Sequence, residues 1–346
     1  MPGAEACPEA PGRGPVEAAG ASTPSDQLGM ATASRHGNYV LEQVAFPSTR
    51  LELTGSLYIP RRLAEPAPSV VLLGPFGYVK EHAPDQYATR LADEGYVALS
   101  FDCAHHGESA GEPRQLVEPH RRIADVRAAI DFLVSRPEVD AAALAALGIG
   151  EGAAELVQAA VADRRIGAVV AVAARFRDPE SDLERVAGDH PPTGTGAVDQ
   201  MRLVEERLAR ARAAKRRFED TGEVEYRPIT DASRLDVALP GLAPWEWYSR
   251  RGGRGLWENR YAVMGDLCYL AFESLSAAAA IRVPVLVVHG ELAPGAAAAR
   301  RHVETMANAP VEVRFEEGTG EYDYYDDPRT IDRVAAEVAG WLARSR

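Results

Sequence analysis

Short apolar runs alternate with segments of helical period over most of the chain, and this alternation constrains the fold more than any other feature of the sequence. Runs such as SVVLLG, YVALSFD and LAALGIG are continuously apolar, which is typical of strands buried on both faces of a sheet. Amphipathic segments such as RRIADVRAAIDFLVSR lie between them. Strands that alternate with helices pair in parallel through right-handed crossovers. The sequence therefore predicts an α/β fold with a mostly parallel twisted sheet flanked by helices.

Further elements are predicted on either side of this alternation. A β-hairpin, YVLEQVAF-PSTR-LELTGSLYI, begins at Tyr39. The strand pattern stops near Arg175 and resumes with VPVLVVHG at residue 283, followed by a helix and the strand VEVRFEEG. A final helix is predicted from Pro328 to about Ala343, with Asp327 as its N-cap.

Composition divides the chain into segments. Residues 1–36 are rich in Pro, Gly, Ala and Ser and nearly lack large apolar side chains, so we expect a flexible tail. Residues 37–175 and 281–346 are predicted as two parts of one sheet core, with 176–280 inserted between them. The insertion is interpreted either as a packed helical satellite or as an aromatic-rich cap over a substrate pocket. Its candidate substrate-binding residues are Trp245, Trp247, Trp257 and Tyr261.

Charge and cysteine content exclude several classes of function. The net charge of −13, from 51 acidic and 38 basic residues, opposes binding to nucleic acid or anionic lipid as a main activity. No apolar run approaches the roughly 18 residues of a membrane span, and the N-terminus lacks a basic start followed by an apolar stretch. We expect a cytoplasmic protein that acts on a small molecule. The three cysteines have no spacing typical of zinc, and neither a metal nor a cofactor is predicted.

Four motifs together carry a resemblance to a known family. They are GPFGYVKEHAPDQYATRLADEGYVALSFDCAHHGESAGEPRQ (74–115), the helix ending in VSRPEVD, LGIGEGAA (147–154) and EYDYYDDPRTIDRVAAEVAGWL near the C-terminus. This combination resembles the α/β-hydrolase superfamily, in particular its dienelactone-hydrolase-like branch, over roughly residues 40–175 and 280–345. The resemblance implies the α/β-hydrolase fold. Dimers are common for this fold, so a homodimer is one candidate and the oligomeric state stays open.

The position of the family's nucleophile holds a glycine in this chain. In the fold, the nucleophile occupies the centre of a G-x-nucleophile-x-G turn between a strand and a helix. Here the turn reads GIGEG (148–152), so Gly150 stands at the nucleophile position. Glycine has no side chain with which to form an acyl-enzyme.

The other two members of the family's triad are also missing. The acidic residue usually follows the strand ending in HG, but Ala293 stands at the usual place and Glu291 lies two residues earlier. The loop that usually carries the histidine is GTGEYD (318–323), which contains Glu321 and no histidine. An ordinary Ser or Cys hydrolase mechanism is therefore not expected.

Candidate groups for other chemistry remain. By position in the family, the oxyanion hole consists of the backbone N–H groups of Phe76 and Glu151. Burial in a partly apolar pocket would raise the pKa of Glu151 toward the range of a general acid or base. The alternative for Glu151 is a solvent-directed carboxylate stabilised by the helix dipole.

The remaining candidates are acidic and aromatic side chains near the predicted pocket. Glu321 is either a second acid/base or a local hydrogen-bonding group, and a structural role near a strand end is favoured for Glu291. Tyr78, His106 and Tyr322 are candidate substrate contacts. For His106, packing at the base of the pocket is the favoured alternative.

Four functional hypotheses follow from these residues. The first is a non-hydrolytic enzyme, a lyase or a cyclase, that acts on a small polyketide-like metabolite through acid/base and oxyanion groups. The family resemblance suggests acetate elimination from an acetylated tetronate as one concrete reaction. The alternatives are an ester or lactone hydrolase with a carboxylate-activated water, a catalytically silent ligand-binding protein, and a structural partner.

Overall fold

The computed structural model describes residues 37–63, 65–187, 197–251 and 253–345, and strands and helices alternate along it as predicted. The strands are β1 (Tyr39–Ser48), β2 (Leu51–Pro60), β3 (Ala67–Leu73), β4 (Val97–Phe101), β5 (Val139–Ile149), β6 (Ile166–Val172), β7 (Tyr226–Arg227), β8 (Thr230–Asp231), β9 (Leu239–Pro240), β10 (Tyr261–Ala262), β11 (Val285–Gly290) and β12 (Val311–Glu316). The helices are α1 (Ala83–Asp93), α2 (Pro119–Val134), α3 (Glu151–Ala162), α4 (Pro179–Ala187), α5 (Ala197–Thr221), α6 (Leu242–Arg251), α7 (Asp266–Tyr269), α8 (Leu275–Ala280), α9 (Ala296–Thr305), α10 (Asp323–Asp326) and α11 (Pro328–Arg344). The predicted tail, residues 1–36, lies outside the described residues.

One eight-stranded sheet contains the long strands in the order β1-β2-β4-β3-β5-β6-β11-β12. The first two strands form the predicted antiparallel hairpin, and β2 also pairs antiparallel with β4. The six strands β4-β3-β5-β6-β11-β12 pair in parallel with their neighbours in this sheet. The predicted fold class is therefore confirmed.

Alternate residues of the central strands enter two different cores. In β3, Val71 and Leu73 pack on the face covered by α2 and α3, whereas Val70 and Leu72 pack on the face covered by α1 and α11. Because successive side chains of a strand point to opposite faces, a strand with helices on both sides needs apolar residues at every position. This accounts for the continuous apolar run SVVLLG.

The last helix begins as the sequence predicts. The Asp327 carboxylate accepts a hydrogen bond from the backbone N–H of Thr330 at 2.9 Å, which identifies Asp327 as the N-cap. Pro328 occupies the first turn, where its missing N–H costs no intrahelical bond. The cap fixes the start of α11 directly after the loop that follows β12.

The chain between β6 and β11 contains α4 to α8 and the short strands β7 to β10. Ile229, Tyr261 and Tyr269 of this part pack with Phe76 from the loop after β3 in one apolar cluster. This part of the chain therefore lies over the carboxyl ends of the central strands, where parallel α/β sheets bind ligands. None of the described helices is both long and apolar enough to span a lipid bilayer. The domain boundaries at 175 and 280 stay predictions.

Candidate functional site

The turn between β5 and α3 has the geometry of a nucleophile elbow. Gly150 adopts φ 59° and ψ −124°, a conformation that favours glycine. A Cβ atom on Gly150 would lie 2.5 Å from the Tyr325 hydroxyl oxygen and 2.9 Å from Cβ of Pro75. At Gly152 a Cβ atom would collide with the Leu73 carbonyl oxygen. The place of a nucleophilic side chain at this elbow is thus filled by the phenol of Tyr325.

Tyr325 belongs to a buried network at the elbow. Its hydroxyl donates to Oε1 of Glu321 at 2.7 Å. Arg175 binds both oxygens of the same carboxylate, Nε to Oε1 at 2.8 Å and Nη2 to Oε2 at 2.5 Å. Glu321 is 5% exposed, and burial raises the pKa of Tyr325 well above its ordinary value, so the phenol stays protonated. The loop after β12, which carries a histidine in the family, therefore carries Glu321 here, and its carboxylate accepts a hydrogen bond from the Tyr325 hydroxyl.

The Glu151 carboxylate occupies the predicted oxyanion hole. The backbone N–H of Phe76 donates to Oε2 of Glu151 at 2.9 Å, and the backbone N–H of Glu151 bonds its own carboxylate. Nη2 of Arg185 lies 2.7 Å from Oε1, and both side chains are nearly fully buried. The two predicted hole donors therefore already hold an anion.

The protonation of Glu151 differs from the sequence expectation. Burial alone would raise its pKa, but the charges of Arg185 and Arg175 and the backbone hydrogen bond outweigh burial and lower the pKa from 4.5 to about 2. The expectation of a raised pKa was wrong because the sequence pattern did not indicate that two arginines lie beside this carboxylate. A carboxylate with this pKa is ionised at neutral pH and is a weak base.

A cavity of about 290 Å³ opens in front of the elbow. Charged and phenolic groups line its floor: Glu151, Arg175, Arg185, Glu321, Tyr248, Tyr322 and Tyr325. Apolar residues line most of the wall: Pro75, Leu239, Pro240, Pro244, Leu292 and Pro294. The exposed side chain of Glu184 completes the lining. The arrangement suits a small ligand that has a polar end and an apolar body.

A buried arginine behind the elbow positions the Phe76 loop. Nη2 of Arg122 donates to the Gly74 carbonyl at 2.7 Å, and its Nε lies 3.0 Å from the Glu155 carboxylate. These contacts join the loop after β3 to α2 and α3. Arg122 therefore holds the backbone of the predicted hole without lining the cavity.

Only some of the predicted site side chains lie at the cavity. The predicted residues that line it are Glu151, Glu321 and Tyr322. The predicted residues that are buried outside this lining are Phe76, Tyr78, His106, Trp247 and Tyr261. The Tyr78 hydroxyl donates to the Phe101 carbonyl at 2.9 Å, and Nδ1 of His106 lies 3.0 Å from the Ala104 carbonyl. The contact of His106 agrees with the packing role favoured for it. Burial lowers the pKa of His106 to about 3.

Three further predicted residues are more exposed and are also absent from the described lining. Glu291 forms an exposed ion pair with Arg300 at 2.6 Å. Trp245 is 37% exposed on α6, and Trp257 stacks on Tyr248 with ring centroids 5.1 Å apart. The roles predicted for these side chains stay predictions.

Sequence reasoning missed Arg175, Arg185, Tyr248 and Tyr325. Arg175 comes directly after the apolar strand AVVAVAA. Ligands of parallel sheets bind at this end of the strands, so the position of Arg175 could have indicated a site residue. Tyr325 lies in EYDYYDD, a pattern typical of a polar helix start. Nothing in this pattern indicates that the Tyr325 side chain points into the protein. Arg185 and Tyr248 lie in the inserted part of the chain, whose placement depends on tertiary packing.

A Ser–His–Asp arrangement occurs away from the cavity. Oγ of Ser274 lies 2.9 Å from Nε2 of His302, and Nδ1 of His302 lies 3.8 Å from Asp178. Ser274 and His302 are fully buried, and Nδ1 of His302 lies 2.8 Å from the Ala298 carbonyl. A substrate cannot reach a serine with no exposed surface. This trio is therefore a packing cluster that joins α8 and α9.

No group of three or more His, Cys, Asp or Glu side chains within the described ranges is arranged to hold a metal ion.

Comparison with known proteins places the fold and the family. The X-Pro dipeptidyl-peptidase (S15) family matches residues 50–292. The uncharacterized protein PA2218 of Pseudomonas aeruginosa is 28% identical over 301 residues, which cover 82% of this chain and 76% of PA2218. Its crystal structure superposes with a TM-score of 0.71 at 24% identity, covering 93% of this chain and all of that one.

Two other relatives match shorter segments, and a further solved structure shares the fold. The thiohydrolase aneE of Aspergillus aculeatus is 33% identical over 35% of this chain and 37% of its own length. The polyketide transferase claH of Penicillium crustosum is 32% identical over 30% of this chain and 34% of its own length. The structure of DcsB in complex with its substrate analogue has a TM-score of 0.74 at 17% identity, covering 88% and 99% of the two chains. The predicted membership of the α/β-hydrolase superfamily is confirmed.

Proposed function

This chain belongs to the X-Pro dipeptidyl-peptidase (S15) family, and from that premise we propose that it is an enzyme without a covalent nucleophile, which catalyses an elimination or cyclisation of a small polyketide-like metabolite. One observation carries the proposal: the Tyr325 hydroxyl lies 2.5 Å from the place where a Cβ atom on Gly150 would stand. The elbow therefore offers a proton donor in place of an attacking atom.

The Glu321–Tyr325 pair supplies the proton transfer. When a ligand enters, the Tyr325 O–H turns from Glu321 to an oxygen of the substrate. This frees one of the two acceptor positions on Oε1 of Glu321, and Nε of Arg175 keeps the other. The C–H bond next to a substrate carbonyl breaks, and its proton moves to Glu321. The electron pair of the C–H bond forms the new double bond to the neighbouring carbon. The C–O bond of that carbon breaks, and its electron pair leaves with the carboxylate, while Tyr325 stabilises negative charge on the carbonyl oxygen.

Arg175 and Glu151 have supporting roles in this mechanism. Arg175 holds Glu321 by two hydrogen bonds, which keeps the carboxylate directed at the elbow. Glu151 balances the charge of Arg185 and fills the hole formed by the Phe76 N–H. Its low pKa makes Glu151 unsuited to proton transfer near neutral pH.

The names of the relatives support the substrate class. The polyketide transferase claH and the thiohydrolase aneE match this chain over about a third of its length. Both names describe enzymes, and the first names a polyketide. The type of reaction rests on the geometry of the elbow.

A ligand-binding protein without turnover is the second candidate, favoured by the occupied oxyanion hole. Ester hydrolysis by a carboxylate-activated water is less supported, because Glu151 is a weak base and both hole donors are satisfied.

The test uses an acetylated tetronate in water labelled with oxygen-18. Elimination releases unlabelled acetate and a product with a new double bond, whereas attack of water on the ester places the label in acetate. Tyr325→Phe and Glu321→Gln are each expected to lower kcat at least about 100-fold. Unchanged turnover in either variant would remove that residue from the mechanism, and no turnover by the wild type on a panel of such esters would favour the binding protein.

A matched control lies one residue away. Tyr324 donates to Glu316 at 2.7 Å, and Glu316 is paired with Arg333, so a second Tyr–Glu–Arg set occurs outside the cavity lining. Tyr324→Phe and Glu316→Gln are expected to keep wild-type kcat. Equal losses in both sets would indicate a general effect on stability.

A further inference from the structure

The two arginines of the cavity have more hydrogen-bond donors than the surrounding protein uses. An arginine carries five N–H donors. Arg175 directs Nε and Nη2 to Glu321. Arg185 pairs through Nη2 with Glu151, and its Nε is buried without a partner in the part of the chain that the structure describes. The Arg185 side chain is only 5% exposed, so bulk water compensates little of this deficit.

The acceptors of the same cavity are already engaged. Glu321 receives bonds from Arg175 and Tyr325, and Glu151 receives them from Arg185 and the Phe76 N–H. A ligand that complements this floor must therefore bring acceptor oxygens. An unpaired buried donor is costly, so an acceptor placed on Arg185 recovers free energy on binding.

The charges allow that acceptor to be an anion. Glu151 with Arg185 and Glu321 with Arg175 form two neutral pairs. The remaining charged residue of the lining, Glu184, is exposed, so solvent screens its charge. Planar guanidinium groups prefer delocalised oxyanions to single hydroxyl groups.

Resting on the proposed function, we propose that Arg185 is the substrate-binding residue for a delocalised oxyanion, either a carboxylate or the enolate of a 1,3-dicarbonyl group. The apolar wall, with Leu239, Pro244 and Leu292, then holds the body of the ligand. This assigns the substrate class as an acidic, oxygen-rich metabolite with an apolar ring or chain.

The experiment measures binding to the full chain by isothermal titration calorimetry, without turnover. Benzoate is compared with neutral benzamide, and 1,3-cyclohexanedione, largely an enolate at neutral pH, with cyclohexanone. We expect each neutral partner to bind at least about tenfold more weakly than its anion. Binding of benzoate alone identifies a carboxylate site, and binding of the dione alone identifies an enolate site.

Two variants test Arg185 itself. Arg185→Lys keeps the positive charge beside Glu151 but removes the planar fork, and we expect it to weaken anion binding about tenfold. Arg185→Gln combined with Glu151→Gln removes both charges of the pair, which avoids a lone buried ion, and should abolish anion binding. The control is Arg207→Lys, because Arg207 is also buried and paired, with Asp266 at 2.6 Å, outside the cavity lining.

The outcomes separate this proposal from the mechanism. Equal binding of anions and neutral partners, no saturable binding of either anion, or unchanged affinity in Arg185→Lys would overturn the oxyanion site. Tyr324→Phe, whose hydroxyl bonds Glu316 outside the cavity lining, should bind the anions like the wild type. If Tyr325→Phe loses turnover but the wild type binds neither anion, the oxyanion-site proposal is refuted and the proposed mechanism is not.

Discussion

Replacing Glu151 by glutamine removes a buried negative charge and leaves Arg185 without its partner. Lowering of the Glu151 pKa from 4.5 to about 2 corresponds to about 3 kcal/mol of stabilisation of the folded state at neutral pH. Both side chains are at most 6% exposed, so solvent screens this interaction little. We expect Glu151→Gln to lower the free energy of unfolding by about 3 kcal/mol at pH 7, measured by urea denaturation.

The same substitution has a defined pH dependence. A carboxylate whose pKa is lowered in the folded state stabilises that state above its unfolded pKa, and the stabilisation is lost as pH falls through the folded pKa. For Glu151 this window runs from about pH 5 to about pH 2. The difference between wild type and Glu151→Gln should therefore fall to about 1 kcal/mol near pH 3.

Two comparisons decide whether the reasoning holds. Glu291→Gln, which breaks an exposed pair with Arg300, should change stability by less than about 1 kcal/mol. Adding Arg185→Gln to Glu151→Gln should restore part of the loss, because no lone charge then stays buried. A Glu151→Gln variant as stable as the wild type at pH 7, or a difference that does not change between pH 7 and pH 3, would refute the assignment of the pair.

Four further substitutions test the elbow and the aromatic residues. Gly150→Ser should lower stability by about 2–4 kcal/mol without creating esterase activity, because its Cβ would meet the Tyr325 hydroxyl at 2.5 Å. Adding Tyr325→Phe should recover part of that stability, and burst release of a chromogenic ester by the single variant would contradict the steric argument. Trp247→Ala, at 8% exposure, should cost about 3–5 kcal/mol by urea denaturation, whereas Trp245→Ala, at 37%, should cost less than about 1 kcal/mol. Similar losses of unfolding free energy for both variants would show that the exposure of a tryptophan does not govern its contribution to stability.

Most of the fold could be predicted from periodicity and turn residues. The runs SVVLLG and VPVLVVHG are β3 and β11, and the amphipathic segment before Arg136 is α2. These elements are visible in sequence because each is buried on a defined face, and burial imposes a period of two, a continuous run or a helical repeat.

Less of the site could be predicted. Glu151 and Glu321 were found because each occupies a position fixed relative to a strand end. Their charge states could not be derived, since the pKa of a buried carboxylate depends on partners brought together by the whole fold. The direction of Tyr325 is likewise a tertiary property, because its neighbour Tyr324 has the same chemistry and hydrogen-bonds Glu316 instead.

Arg175 joins parts of the chain that are far apart in sequence. Its backbone N–H donates to the Gly150 carbonyl at 2.9 Å, and its side chain binds Glu321, which lies 146 residues later. Such distant partners meet late in folding, because a long loop must close before their contact forms. The elbow backbone can therefore form once β5 and β6 pair, but the contact of Arg175 with Glu321 forms only after β12 has docked on β11. Completion of the cavity floor should accordingly lag behind the appearance of secondary structure during refolding.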